Sequence, residues 1–95
     1  MRVIWLANAL AQRNADIAHI AQEDARAALR QLDEIERQTE RLAKYPELGR
    51  PSTRWSGTRL LSIARTPFLV AYRIRPRARR IEIFRFIHTR KNWRR

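Results

Sequence analysis

The residues best suited to chemistry stand together near the end of the chain, in the stretch IEIFRFIHTRKNW, residues 81–93. An apolar run typical of a buried strand ends there in His88, followed by Arg90, Lys91 and Trp93. Nearby cations disfavour protonation of an imidazole, so we expect His88 to be neutral and able to act as a general base. The cations could hold phosphate and the indole could stack on a base. The simpler alternatives are a hydrogen-bonded structural histidine and an indole that anchors the tail to the core.

Four arginines lie in segments that otherwise have the composition of strands. Arg59 and Arg65 are separated by an even number of residues, which predicts that they share one face of a strand. Arg73 and Arg85 interrupt apolar strands, and because an unpaired guanidinium is costly to bury, each must reach water, a carboxylate or a ligand. Together the four predict a basic sheet face. Taken singly, each is equally well explained as a surface arginine whose stem covers apolar neighbours.

The positive charge is concentrated in the second half of the chain. The 95 residues include 21 Lys and Arg against nine Asp and Glu, a formal net charge of +12. Residues 1–44 hold seven of each sign, whereas residues 45–95 hold fourteen cations and two acids, Glu47 and Glu82. Most of the cations are arginines, which bind phosphate or carboxylate through two parallel hydrogen bonds. This pattern predicts a polyanionic partner: nucleic acid, a ribonucleoprotein or an acidic protein segment.

Several other classes of site have no support in the composition. The chain has no cysteine and two histidines far apart in sequence, so we expect no metal site and no cofactor. Its two glycines are too few for a phosphate-binding loop, and its serines lack the context of a nucleophile elbow. No apolar run approaches the roughly 20 residues of a membrane span, and the start has no features of a signal peptide. We therefore expect a cytoplasmic protein without a membrane partner.

Hydrophobic periodicity predicts the elements that position these residues. The run RVIWL at residues 2–6 indicates an edge strand. Helical spacing follows from Asn8, with a break at Glu23-Asp24 where a second helix begins. The second helix has one apolar stripe, and the short break predicts an antiparallel helix hairpin. The helix stops at YPELGRPS, residues 45–52, because proline and glycine cannot continue it.

The remaining segments predict an antiparallel meander. The runs GTRLLSIA, FLVAYRI and IEIFRFIH, at 57–64, 68–74 and 81–88, are joined by connections too short for anything but turns. The middle run is apolar on both faces and should be the central strand. The whole predicts one α+β domain over residues 1–95: an N-terminal edge strand, an antiparallel helix hairpin, a three-stranded antiparallel meander and a short C-terminal tail.

Three segments in this order resemble the RelE/ParE superfamily of toxins from bacterial type II toxin–antitoxin pairs. They are YPELGRP after a helix hairpin, then GTRLLSIARTPFLVAYRI, then a last strand that ends His-x-Arg-x-x-Trp. The resemblance spans nearly the whole chain and implies the same fold. It also implies one of two activities: RelE-like members cleave mRNA in the ribosomal A site, whereas ParE-like members poison DNA gyrase and are not nucleases.

Two positions favour the ParE-like activity. Nuclease members usually carry an arginine where this chain has Leu69, and one branch carries a glutamate where this chain has Ser52. The groups left for a nuclease are one base and three cations: His88, Arg90, Arg59 and Arg65. We therefore expect an inhibitor of DNA gyrase; the chain would be no enzyme if it is ParE-like and an endoribonuclease if it is RelE-like. The alternatives are a ribosome-dependent endoribonuclease and a non-toxic basic nucleic-acid-binding module.

The resemblance also implies two binding surfaces. The target would be bound by eight residues of the basic half: Arg59, Arg65, Arg73, Arg85, His88, Arg90, Lys91 and Trp93. A cognate antitoxin would supply an acidic and hydrophobic segment that folds as it binds. We expect that segment in an apolar groove between the helices and the edge strand, on Trp5, Leu10 and Ile17.

Overall fold

The computed structural model of the chain describes residues 1–90 and contains two helices on one face of a five-stranded sheet. The elements are β1 (Arg2–Trp5), α1 (Ala7–Glu23), α2 (Ala25–Glu40), a 3₁₀ turn (Arg41–Ala43), β2 (Arg50–Pro51), β3 (Arg59–Ser62), β4 (Phe68–Arg75) and β5 (Arg80–His88). The strand order is β1-β5-β4-β3-β2. Strand β1 pairs in parallel with β5, and the other neighbours are antiparallel.

This architecture confirms the predicted α+β fold with its N-terminal edge strand, helix hairpin and antiparallel meander. The sheet has one strand more than predicted, because Arg50–Pro51 pairs with Leu60 and Arg59 within the segment that ends the helices. A two-residue strand carries no periodic signal, so hydrophobic alternation cannot reveal it.

Asp24 separates the two helices and defines the hairpin. Its backbone is extended, with φ −155°, and its N–H donates to Ile20 O of α1. Its side chain accepts a hydrogen bond from the backbone N–H of Ala27 at 3.0 Å, so it caps the start of α2. One residue therefore ends α1 and begins α2, as the sequence predicts. The stripe of α2 is buried at Ala28, Ile35 and Thr39, all at most 3% exposed, and Ile35 joins the core formed with the sheet.

The central strand is buried on both faces, as its composition predicts. Phe68, Val70 and Tyr72 face the helices and join the main core, together with Ile81 and Ile83 of β5. Leu69 and Ala71 point to the opposite face and are 2% and 0% exposed. Because a strand that is apolar on both faces must be covered twice, the face without helices also needs a cover.

A buried tyrosine fixes the loop that follows the helices. The Tyr72 hydroxyl donates to Pro46 O at 2.6 Å and accepts from the Gly49 N–H at 2.9 Å. A Cβ on Gly49 would lie 2.7 Å from Leu60 O and 2.8 Å from the Tyr72 ring, so this close approach requires glycine. Burial also raises the pKa of Tyr72, which keeps its hydroxyl protonated as a donor.

Replacement of Tyr72 by Phe should lower the free energy of unfolding by about 1–3 kcal/mol, because it leaves Pro46 O and Gly49 N–H buried without their partner. Urea unfolding followed by circular dichroism measures this change. Tyr45→Phe is the matched control: Tyr45 is 50% exposed, and its replacement should change stability by about 0.5 kcal/mol or less. Equal effects of the two substitutions would contradict a structural role for the Tyr72 hydroxyl.

Candidate functional site

The sheet face that carries no helix, here called the open face, is built on a small apolar cluster. The cluster consists of four side chains that are at most 6% exposed: Leu60, Leu69, Ala71 and Ile87. The rings of Trp55 and Phe84 pack against this cluster and cover it. The apolar surface of the open face is therefore largely hidden beneath two aromatic rings.

A β-bulge in β5 places two consecutive residues on the open face. Ala71 pairs with Arg85 while Tyr72 pairs with Ile83, so Phe84 is an extra residue in the ladder. A bulge interrupts the alternation of side chains between faces. As a result Phe84 packs on the open-face cluster, and the Arg85 guanidinium, next to it in sequence, lies 5.3 Å from the centroid of Trp55.

Guanidinium groups lie over both aromatic rings of the open face. The Arg73 guanidinium is 4.3 Å from the Phe84 centroid, and the Arg54 guanidinium is 5.3 Å from that of Trp55. Such cation–π contacts hold flexible side chains in fixed orientations. The structure thus brings together Arg73 and Arg85, two of the four arginines predicted to cluster, and adds Arg54, which was not predicted.

Three further contacts on the open face converge on Glu82, which is 6% exposed. Arg75 Nε donates to one carboxylate oxygen at 3.1 Å, and Arg80 Nε donates to the other at 2.9 Å. These bonds hold the pKa of Glu82 below its ordinary value. Arg73 Nη2 lies 3.7 Å from the carboxylate. Neither Arg75 nor Arg80 was among the residues predicted from the sequence. The feature that could have identified Arg80 is Glu82, a rare acid of the basic half that lies two residues away and therefore on the same strand face.

Arg59 lies on the opposite face of the sheet from Arg73 and Arg85. It pairs with Tyr72, whose side chain faces the helices, and its Nη1 donates to Gly49 O at 2.8 Å. The prediction that Arg59 and Arg65 share one strand face is wrong, because β3 ends at Ser62 and strand alternation ends with it. A common basic face for all four arginines is therefore also wrong.

Arg65 lies in the turn between β3 and β4 and is held by α2. Its backbone has a left-handed φ of 66°, and its Nε and Nη2 donate to Glu34 at 3.0 and 2.9 Å. The Arg65 bonds, then that from Gln38, lower the pKa of Glu34 from 4.5 to about 2. The Gln38 amide also exchanges two hydrogen bonds with the backbone of Ala64, at 3.0 and 2.8 Å. Arg65 therefore fastens a turn to a helix.

His88 ends β5 on the side of the helices, not on the open face. It pairs with Phe68, and its ring meets the Phe68 ring edge-on with centroids 5.2 Å apart. Its Nδ1 accepts a hydrogen bond from the backbone N–H of Arg90 at 3.2 Å, and Arg90 itself is exposed. The two other predicted residues of this stretch, Lys91 and Trp93, lie outside the described residues.

The two positions that distinguish the nuclease branch have structural roles here. Leu69 is 2% exposed in the open-face cluster. The Ser52 hydroxyl accepts hydrogen bonds from the backbone N–H groups of Arg54 and Trp55 at 3.0 and 2.9 Å, so it organises the turn after β2. Neither residue supplies a charge.

The residues predicted to bind an antitoxin are half-buried. Trp5 and Ile17 pack against the main core, and the Arg13 guanidinium lies 4.8 Å from the Trp5 ring centroid. Leu10 of α1 is also half-buried. The prediction of a bare apolar stripe at these three residues is therefore wrong, because the sheet and Arg13 cover much of it. Their contact with a partner stays a prediction.

Apart from Leu29 on α2, the exposed large apolar side chains of the described residues lie beside the start of β1. Met1, Tyr45 and Leu48 are 38%, 50% and 40% exposed. With Ile74 they line an open depression of about 730 Å³, whose rim carries Arg41, Lys44 and Glu47. From the sequence, the segment YPEL predicts only the end of the helix. The depression is not predicted, because loop residues have no periodicity that shows the direction of their side chains.

Within residues 1–90, no three His, Asp or Glu side chains are grouped closely enough to hold a metal ion. Neither α1 nor α2, the two α-helices of the described part, is long and apolar enough to cross a bilayer. What the described arrangement offers is a basic surface over aromatic rings and a separate apolar depression.

Comparison with known proteins gives a consistent result. Residues 3–93 match the model of a family described as the ParE toxin of the type II toxin-antitoxin system parDE. Among solved structures, the chain is similar to one from the chromosomal ParDE TA system of P. aeruginosa, with a TM-score of 0.79 and 27% sequence identity. That similarity covers 93% of this chain and 95% of the other. No curated protein matches the chain in sequence.

The pKa of Glu34 predicts a specific loss of stability in acid. Because this pKa is lowered in the folded chain, the Arg65 ion pair contributes fully above pH 4.5 and is lost as the pH falls towards 2. Glu34→Gln should therefore lower the urea midpoint at pH 6 and flatten its decline between pH 5 and pH 2.

Glu36→Gln is the matched control, because Glu36 is an exposed acid on the same helix. It should keep the full acid dependence of the wild-type chain. If Glu34→Gln and the wild type lose the same urea midpoint between pH 5 and pH 2, the ion pair does not act as described.

Proposed function

The chain belongs to the ParE toxin family of type II toxin–antitoxin systems, and we propose that it inhibits DNA gyrase until a cognate antitoxin binds it. Inhibition would occur by docking on the enzyme, without a chemical step. Expression of the toxin alone should then arrest growth.

The observation that best supports docking is the separation of the groups a ribonuclease would need. Cleavage through a ribose 2′-OH requires a base, cations on the phosphate and a donor for the leaving oxygen. His88 and Arg59 pair with Phe68 and Tyr72, four residues apart on β4, so their backbones are about 13 Å apart along the sheet. A base and a phosphate clamp must lie within hydrogen-bond reach of one substrate.

A second candidate cation of a nuclease, Arg65, is occupied, whereas Arg90 is exposed beside His88. Both donors of Arg65 that face Glu34 are used in fastening the turn. Loss of one group that stabilises a transition state typically costs about 10²–10³ in rate, and here Leu69 and Ser52 replace two such groups. These positions favour the gyrase inhibitor over the ribosome-dependent endoribonuclease.

We assign target contact to Arg73, Arg85 and Arg90, which are at least partly exposed. Arg73 and Arg85 lie on the open face, and Arg90 follows β5 beside His88. Lys91 and Trp93, which lie outside the described residues, stay predictions as target contacts. Arg59 and Arg65 are better explained as residues that hold the loop at Gly49 and the turn at Ala64.

The purified toxin should inhibit negative supercoiling by gyrase and leave mRNA on ribosomes intact. Arg90→Ala should raise the concentration for half-maximal inhibition about tenfold, as expected for loss of a central interface arginine. Arg26→Ala, which removes an equal charge from the outer face of α2, should have little effect.

Primer extension on mRNA from the same cells distinguishes the alternatives. Cuts at ribosomal A sites that disappear in His88→Ala, with gyrase unaffected, would contradict the proposal and favour the endoribonuclease. Absence of both gyrase inhibition and growth arrest would favour the non-toxic nucleic-acid-binding module.

The antitoxin is proposed to bind along β1 and in the neighbouring depression. Strand β1 pairs with β5 on one side, and its other edge pairs with no strand among residues 1–90, so a partner strand could add there next to Trp5, with Leu10 and Ile17 of α1 nearby. The depression at Met1, Tyr45 and Leu48 continues this edge. Exposed apolar side chains with Arg41 and Lys44 at the rim suit an acidic and hydrophobic segment.

Leu48→Asp should weaken antitoxin binding about tenfold or more, because it puts a like charge against an acidic segment in an apolar depression. Leu29→Asp is the matched control: Leu29 is 68% exposed on α2, outside the depression. Isothermal titration with the antitoxin encoded beside the toxin gene measures both affinities. Equal affinities of the two variants would exclude the depression from the interface.

A further inference from the structure

We infer that the open face binds the phosphate backbone of duplex DNA directly, in the absence of gyrase. The site consists of five arginines on and beside the sheet: Arg54, Arg73, Arg75, Arg80 and Arg85. This goes beyond gyrase inhibition, because it assigns the toxin its own contact with the substrate on which the enzyme acts.

Charge is the first observation in support. Three of the five arginines, Arg73, Arg75 and Arg80, share the single carboxylate of Glu82, and Arg54 and Arg85 lie over Trp55, so the open face keeps a positive excess within the folded chain. Duplex DNA carries one negative charge per about 1.7 Å of helix axis and releases counterions when arginines neutralise its phosphates. Such a partner matches a row of cations better than a single small anion does.

The contacts of Glu82 show that arginines of the open face can bind an anionic oxygen. Arg75 and Arg80 bind one carboxylate oxygen each, from either side. Arg73 is turned towards the same group but lies 3.7 Å away, and its buried Nε has no hydrogen-bond partner within residues 1–90. That Nε is itself too buried to reach a ligand, but the Arg73 side chain is 36% exposed, so its terminal nitrogens can bind a second anion beside Glu82. A phosphate group suits this position, because it has more oxygen acceptors than a carboxylate has.

The positions of the arginines fit a repeating ligand. Residues two apart on a strand lie on one face about 7 Å apart, which applies to Arg73 and Arg75 on β4. Neighbouring strands are about 4.8 Å apart, so Arg80 and Arg85 of β5 extend the row sideways. Stacking on Phe84 and Trp55 holds the guanidinium groups in place before a ligand arrives, which lowers the entropy lost on binding.

Two further observations favour duplex DNA over single-stranded nucleic acid and over acidic, hydrophobic peptides. Trp55 and Phe84 already carry guanidinium groups over their rings, which limits stacking on unpaired bases and favours contact with phosphates. The apolar cluster beneath is at most 6% exposed, so an acidic and hydrophobic peptide finds no apolar pocket here. The exposed apolar side chains at Met1, Tyr45 and Leu48 lie in the separate depression.

Fluorescence anisotropy with a labelled 20-bp duplex, without gyrase, tests the inference. Arg73→Ala/Arg85→Ala should weaken binding about tenfold or more and reduce the slope of log K against log salt by about 2, since each phosphate contact contributes about 0.9. Arg26→Ala/Arg30→Ala removes the same charge from exposed positions of α2 and should change affinity about twofold or less. Equal losses in the two variants would show attraction by net charge alone and overturn the proposal.

A second pair of variants tests the role of Glu82 in the opposite direction. Glu82→Gln removes the carboxylate that competes for Arg73, Arg75 and Arg80 and should tighten DNA binding several-fold. Glu36→Gln makes the same charge change on α2 and should leave affinity nearly unchanged. Thermal unfolding by circular dichroism establishes that each variant is folded. If the double arginine variant does not fold, Arg54→Ala against Arg26→Ala replaces it, with weaker binding expected for Arg54→Ala alone.

Competing ligands decide the class of partner. Tighter binding of a single strand of the same sequence, or equally effective competition by poly-glutamate at equal charge, would overturn the assignment to duplex DNA. Gyrase inhibition is measured separately, so failure of DNA binding with inhibition intact would reject this inference and leave the proposed function standing.

Discussion

The structure depends on one constraint: β4 is apolar on both faces and must be covered on both. Helices α1 and α2 cover one face through a core that includes Ile35, Val70 and Tyr72. The chain has no further helix for the other face within residues 1–90. That face is covered instead by Trp55 and Phe84, with guanidinium groups over their rings. The basic surface is therefore also the second cover of the core, and its position follows from the need to bury Leu69 and Ala71.

The arginines differ in function according to the groups they reach. Arg59 and Arg65 bind a backbone carbonyl and a carboxylate that hold the chain together. Arg75 and Arg80 bind Glu82 directly, whereas Arg73 lies over Phe84 and 3.7 Å from Glu82, and Arg85 lies exposed over Trp55. Because an arginine can stabilise the fold and still carry excess charge, counting cations overestimates those available to a partner. The structure identifies which of them a ligand can use.

Two surfaces of different chemistry result, and they suit a toxin that has both a target and an antitoxin. The open face is charged and has little exposed apolar area. The depression beside β1 is apolar and has cations at its rim. Acidic segments that fold on binding gain most of their free energy from apolar contacts, whereas nucleic acids gain it from phosphate contacts. The proposed contacts with the antitoxin and with DNA therefore fall on separate surfaces of the described residues.

The sequence by itself determined the helix hairpin broken at Asp24, the central position of β4 and the concentration of positive charge after residue 44, but not the two-residue strand β2. These features are visible because periodicity, helix capping and charge are properties of neighbouring residues. Only the tertiary structure decided which residues meet. The bulge at Phe84 brings Arg85 onto the face of Arg73, the end of β3 turns Arg65 towards Glu34, and Tyr72 requires glycine at position 49. Strand register and turn direction depend on packing between residues far apart in the chain, so local sequence patterns do not predict them.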